Sequence, residues 1–350
     1  MFTAEKMPNI SGILGNHIKH LHRTKNILVI GGGTGTFTVL TGLKKYPVNL
    51  AVIVSMLDSG GSNRVIRDEF GLLPTSDIRQ CIVALASGNA DEVLRKLFTY
   101  RYSHGTGISG MTFGNLFMAA LTDIYGSQEE AIQKTCKILE VQGTIIPVTF
   151  NDSHLVARYS NGSTVLGEHF IDEPSKANID SRIIELSTFP EAKANPIALK
   201  AIRKADLIVL GPGDLYTSIL SNIVVDGIAE ALKRTKAKVV YVMNLMTRYG
   251  QTTDYKASDH INELKKYIGN KTVDYCILHE DGNIPKHVLE RYAEEKAFEV
   301  EDDLEDDQIR VIRQNVISNM VFHRAKSDKL TRSLIRHDPD RLAKVLYSLV

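Results

Sequence analysis

Three times in the first 220 residues an apolar run ends abruptly in glycine or small polar residues, and that punctuation limits the folds available. Ile27-Leu28-Val29-Ile30 stops at Gly31-Gly32-Gly33-Thr34-Gly35, after which Phe37, Leu40 and Leu43 keep a helical spacing until Pro47. Residues 50–57 form a second continuous apolar run, as expected for a strand buried on both faces of a parallel sheet. Strand, glycine turn, helix and strand make a βαβ unit. Further strands are expected at 206–210, 238–243 and 273–278, with helices at 222–233 and 257–267 between them. The pattern predicts an α/β fold with a mostly parallel sheet flanked by helices.

Other stretches fill in around this unit. Helical patterns cover 76–86, 91–100, 113–125 and 128–141. Residues 144–171 alternate in places around Asn161-Gly162, a hairpin signal, and are expected to form an antiparallel insertion or edge. Residues 299–307 carry seven carboxylates in nine positions and read as a solvated acidic loop. Asp338 suits an N-cap before Pro339, and Leu342, Val345 and Leu346 give the last helix an apolar stripe. The expected division is a polar tail or added helix at 1–24, a nucleotide-binding domain at 25–297, and an acidic loop with a strand and helix extension at 298–350.

Composition removes several classes. Lys and Arg number 42 against 41 Asp and Glu, so no global field favours nucleic acid. No apolar stretch is long enough to span a bilayer, and residues 1–24 lack a signal-peptide core. Cys81, Cys136 and Cys276 are far apart with no CxxC, which excludes a zinc ribbon or disulfide scaffold. A cytoplasmic protein without membrane insertion is expected. On the predicted helices no histidine pairs with another His or Cys at metal-ligand spacing, His20 and His22 lie in the tail, and neither GxSxG nor GxxxxGK[ST] occurs.

The chemistry is expected on one edge. Segments 31–36, 58–63, 211–217 and 244–254 each follow a predicted strand, and open α/β sheets bind ligands beyond their strands' carboxyl ends. Gly32, Gly33, Thr34, Gly35 and Thr36 open a helix whose free N–H groups favour phosphate. The run is not a clean GxGxxG, which weakens a nicotinamide oxidoreductase reading. Gly60, Gly61 and Ser62 offer a second set of backbone donors, and two such cradles suit a diphosphate. Asp58 suits a ribose, a divalent ion or a cap on the next turn, and the sequence does not choose among them. Asp77 and Arg79 suit either a mutual ion pair or a phosphate contact. Gly211, Gly213, Asp214, Tyr216 and Thr217 form another anion-friendly turn, and Asn244, Thr247, Asp254 and Tyr255 close the edge.

Taken together, GGGTGT, LDSGGSN, LLPTSDIRQCIVALA, FGNLFMAALT, GPGDLYTSILSNIVVDGI and YVMNLMTRYGQTTDY resemble the CofD-like family. The resemblance runs from about Lys25 to Ala297. It implies a modified Rossmann-like sheet with a nucleotide at its carboxyl edge, and adds Asn115 to the binding candidates. In the 2-phospho-L-lactate transferase branch, a phospholactyl group moves from a guanosine diphosphate derivative to a deazaflavin alcohol with Mg²⁺ assistance. Asp58 would then be the catalytic, metal-side carboxylate. The YvcK-like gluconeogenesis-factor branch is associated with UDP-sugars, notably UDP-N-acetylglucosamine, with cell shape and envelope synthesis, and with no established catalysis.

The LPTSDIRQCIVALA, NLMT and Asp254-Tyr255 motifs are closer to the second branch, which implies nucleotide-sugar contacts from Tyr255 and Arg291. Gly213-Asp214 departs from the family's glycine-serine, and Asp58 stands alone where the transferase branch offers more acid. The expectation is a nucleotide-sugar-binding regulator that needs no cofactor, forms a homo-oligomer and signals to a protein partner. The alternative is a Mg²⁺-dependent phospholactyl transferase.

Overall fold

The computed structural model describes residues 23–87, 92–269, 273–280, 284–305, 309–319 and 334–350, so the expected tail lies almost wholly outside the described residues. The chain opens with β1 (Lys25–Gly31), α1 (Gly33–Leu43) and β2 (Val48–Val54), the predicted βαβ unit. Five helices follow β2 before the chain returns to the sheet: α2 (Gly61–Phe70), α3 (Ser76–Leu85), α4 (Glu92–Thr99), α5 (Phe113–Tyr125) and α6 (Gln128–Ile138). β3 (Thr144–Pro147) then pairs in parallel with β2.

The second half carries an excursion, β4 (His154–Tyr159), β5 (Thr164–Leu166), α7 (Glu168–Asp172) and β6 (Ile183–Phe189). It returns through α8 (Pro196–Lys204), β7 (Leu207–Leu210), a π-helical turn at Leu215–Leu220, α9 (Ser221–Ile223), α10 (Ile228–Lys233) and β8 (Lys238–Val242). The chain ends with α11 (Ala257–Ile268), β9 (Tyr275–His279), α12 (Lys286–Glu294), β10 (Arg310–Gln314) and α13 (Pro339–Tyr347).

Seven parallel strands lie in the order β10-β9-β8-β7-β1-β2-β3. The chain leaves β1 toward β2 and β3, then re-enters beside β1 at β7 and proceeds the other way. The topological switch therefore falls between β1 and β7, where ligands bind in such sheets. Alternate β1 residues serve opposite faces: Leu28 and Ile30 enter one core cluster, Ile27 and Val29 the other. Burial on both faces explains why the strands read as continuous apolar runs, each such side chain contributing about 1.5–3 kcal/mol.

The structure departs from the sequence pattern in four places. Within 144–171 only β4 and β5 form the hairpin, turning at Asn161-Gly162; Thr144–Pro147 joins the main sheet in parallel. The small sheet has a third strand, β6, on the other side of β4. The helix expected over 222–233 breaks before Gly227 (φ 93°), because Asp226 pairs its backbone with Ala192 and Ala194 instead. Helices α2, α8 and α12 form at positions where the sequence pattern predicts none.

At the C-terminus, Asp338 caps α13 by accepting from the amides of Asp340 and Arg341. Gly42 of α1 lies so close to the Pro339 carbonyl that a methyl group there would collide with it. Part of the acidic segment is structural. Asp303 accepts from Ser258 N–H and Oγ at the start of α11, and Glu301 pairs with Lys256. Among the described residues no helix is long and apolar enough to cross a membrane.

Candidate functional site

Beyond the carboxyl ends of β1, β7 and β8 lies a cavity of about 1030 Å³, at the upper end of the range typical for small-molecule sites. Its floor is the switch point. Gly32 is extended and Gly33 takes φ 62°, which lets α1 begin directly at the strand end. Gly35 faces the Pro212 backbone so closely that any Cβ would strike its carbonyl. That contact locks the first glycine loop to the third, and Gly213 and Asp214 complete the wall.

The 58–63 segment supplies the opposite side. Asp58 accepts from the Gly60 N–H at 2.8 Å and from the Asn63 side-chain amide. The Asn63 carbonyl oxygen accepts from both Ser76 N–H and Ser76 Oγ. Asn115 donates to Ser76 Oγ at 3.1 Å and accepts from Arg79 Nε at 3.1 Å. Arg79 lines the cavity, while Asn115 is buried behind it and acts by orienting its neighbours.

The excursion after β3 delivers groups that no sequence motif singled out. Glu168 and Asp172, at the two ends of α7, both reach the cavity. Ser59 N–H donates to Glu168, and the His169 N–H donates back to Ser59 Oγ. Arg248 bridges Asp172 at 2.7 Å and Asp214 at 3.2 Å, and Gln251 donates to the other Asp172 oxygen. Only their convergence in space marks these residues as a site.

So many carboxyl groups in one place raise each other's proton affinity. Burial, then the charge of Asp58, pushes Asp77 up to about 7, against the Gly33 N–H that it accepts. Asp172 rises to about 6, mainly by burial and despite Arg248. Glu168 is pushed well up by burial and by the Asp58 charge beside it, and Asp58 is raised by burial. Asp214 and Asp172 hold Arg248 above its usual range, so it stays charged.

Among the described residues no three or more His, Cys, Asp or Glu side chains are arranged to hold a metal ion. Mg²⁺ usually takes only one or two carboxylates and completes its shell with phosphate and water. The Asp58 and Glu168 pair fits that use, and nothing larger.

Of the expected site residues, Gly32, Gly33, Thr34, Gly35, Asp58, Gly60, Asp77, Arg79, Gly213, Asp214, Asn244 and Thr247 line the cavity. Gly61 and Ser62 stand at the start of α2. Gly211 (φ 78°) is the hinge leading into Pro212. Thr36 is fully buried behind the floor, its Oγ1 without a partner. Thr217, Asp254 and Asn115 stay outside the lining. Tyr216 and Tyr255 are not on the wall: their hydroxyls meet at 2.8 Å inside the core, with His260 edge-on to Tyr255. Arg291 is exposed on α12, whereas its neighbour Tyr292 turns inward and lines the cavity with Arg336 and His337.

The sequence matches the family described as 2-phospho-L-lactate transferase CofD over residues 27–317. The chain belongs to the CofD family. This CofD-family chain is 34% identical over 328 residues to the gluconeogenesis factor of Bacillus subtilis, covering 93% of this chain and 98% of that protein. It is 39% identical over 276 residues to the gluconeogenesis factor of Halalkalibacterium halodurans, covering 79% and 83%. A crystal structure of a UPF0052 family member from Bacillus halodurans superposes with a TM-score of 0.83 at 34% identity, over 93% of this chain and 99% of that one.

Proposed function

We propose that this CofD-family chain is a regulatory protein of the gluconeogenesis-factor type that holds a UDP-N-acetylglucosamine-like nucleotide sugar, with no obligatory cofactor. The observation that carries this reading is the cavity at the β1/β7 switch. Glycine-loop backbone stands on its floor, and the far wall supplies Tyr249, Tyr292, Arg336 and His337. A diphosphate belongs over the loops, and the aromatic wall suits a base or sugar. By the names of its relatives, the bound state would report on carbon metabolism in the cytoplasm. Through a protein partner, a homo-oligomer of this kind would adjust cell shape and envelope synthesis.

Calorimetric titration with UDP-N-acetylglucosamine, GDP and NAD, each with and without Mg²⁺, tests the reading. Saturable binding of the UDP-sugar without turnover is expected. Tyr292→Ala is expected to weaken it, and Tyr255→Phe to leave it unchanged. A guanine nucleotide bound only with Mg²⁺ would overturn it.

One observation favours a second reading, a phosphotransferase of the 2-phospho-L-lactate transferase type. Asp58 and Glu168 are close enough to share a proton, and Mg²⁺ held there would neutralise phosphate charge. Transfer to a deazaflavin alcohol, abolished by Asp58→Asn in a folded protein, would establish this instead.

A further inference from the structure

Gly32 is the N-cap of α1 and has no side chain to offer the helix, and the first turn of α1 carries no acidic residue. The oxygen that a capping side chain would supply comes instead from another element. Asp77, in the first turn of α3, sets its Oδ2 so close to Gly32 that a Cβ there would collide with it. The carboxylate thus rests against the first glycine loop, and both line the cavity. Gln80 Nε2 donates to its other oxygen at 3.3 Å. Gly33, the next residue of the loop, has nothing within 4 Å of its own Cβ position, so the loop is open beyond that contact. A helix N-terminus favours an anion, and here a side chain of the protein has taken the place. The cavity lining holds more carboxylates than guanidinium groups, and Arg248 is already matched by Asp172 and Asp214. A phosphate arriving over Gly32 therefore meets a like charge with little to offset it. Burial, then the charge of Asp58, raises the proton affinity of Asp77 to about 7, against the Gly33 N–H and Arg79. Cys81, one turn further along α3, is kept protonated by burial and by Asp77 itself.

We infer that Asp77 is an internal stand-in for a ligand phosphate: its carboxylate covers the first glycine loop of the empty protein, and an anionic ligand takes that loop only when the carboxylate is displaced or neutralised. The inference rests on the nucleotide-sugar reading and adds to it the residue that sets how tightly the diphosphate is held. A charged Asp77 weakens any ligand that presents phosphate to Gly32 and Gly33, and its protonation or removal opens the loop. Binding of the diphosphate therefore takes up a proton where Asp77 was ionised.

The test is titration of UDP-N-acetylglucosamine into the wild type, Asp77→Asn and Asp77→Glu in metal-free buffer at pH 6 and pH 8. At pH 8, Asp77→Asn is expected to bind about tenfold tighter than the wild type, because the like charge is gone. At pH 6, where the wild-type carboxyl is itself protonated, the two are expected to agree within about twofold. Asp77→Glu keeps the charge and is expected never to bind tighter than the wild type. Asp77→Ser carries the same expectation at pH 8 as Asp77→Asn and replaces it if that variant does not fold. Equal or weaker binding by the uncharged variants at pH 8 would overturn the inference, since a purely structural cap, or a carboxylate that contacts the ligand, gives that result. If no nucleotide sugar binds any of these proteins, the proposed function fails separately. Inorganic pyrophosphate at pH 8 then decides: tighter binding to Asp77→Asn than to the wild type supports the inference, and equal, weaker or absent binding overturns it.

Discussion

The guanidinium of Arg248 meets the Asp172 carboxylate at 2.7 Å and reaches Asp214 at 3.2 Å. One side chain thereby joins the loop after β8 to the helix of the small sheet and to the turn after β7. Its two ion pairs are neither fully buried nor free, with Arg248 31% exposed. Arg248→Ala is expected to lower stability by about 1–2 kcal/mol, between the values for surface and buried pairs. Arg248→Lys should recover less than half of that, because a single ammonium cannot span both carboxylates. Urea denaturation of the three proteins measures the difference.

Asp77 sets a pH dependence with a definite sign. Its folded affinity, raised to about 7 from near 3.8, means the folded state holds a proton that the unfolded chain has released. That contribution is fully present below about pH 4 and is lost as pH rises through 7. Comparing unfolding free energies from pH 5 to 8 in metal-free buffer, Asp77→Asn should remove a slope of less than about 1.4 kcal/mol per pH unit. The substitution should therefore gain stability relative to the wild type as pH rises. No change in slope would show that Asp77 titrates normally.

Gly35→Ala tests the contact between the two glycine loops. The new methyl meets the Pro212 carbonyl, which is backbone and cannot rotate aside. A loss of about 1–3 kcal/mol is expected, along with weaker nucleotide binding, since the cavity floor must widen. A thermal melt indistinguishable from that of the wild type would contradict this packing.

The Tyr216 and Tyr255 hydroxyls form a pair in the core. Removing either leaves the other short of a partner, so each single Phe variant should lose about 1 kcal/mol. The double variant should lose less than the two losses added together. Ligand affinity should stay constant in all three, in contrast to Tyr292→Ala. A fall in affinity with Tyr255→Phe would return that residue to the binding wall.

Much of the cavity lining was legible because loops at strand ends are local. Gly32, Gly33, Gly35 and Asp58 follow directly on apolar runs, and any parallel arrangement of those runs places them on one edge. Asp77 and Arg79 could also be picked out, as polar residues at a helix entry. Glu168 and Asp172 left no such trace, because they reach the site through an excursion whose return path depends on β4 pairing with both β5 and β6. The placement of Tyr255 was hidden for the opposite reason. It lies among polar neighbours in a loop, and only the fold shows that its ring turns into the core beside Tyr216.

The amino-acid order alone determined the parallel α/β class, the gathering of the glycine loops at the carboxyl edge of the sheet, and the capped last helix. Each depends on interactions within a few residues: strand burial, the freedom of glycine, and the Asp338 cap. Tertiary structure decided which distant groups meet there. It brought Arg248 to Asp172, Tyr292 inward in place of Arg291, and Gly42 against the carbonyl of Pro339. Those pairings arise from packing between elements far apart in the chain, and neither spacing nor composition records them.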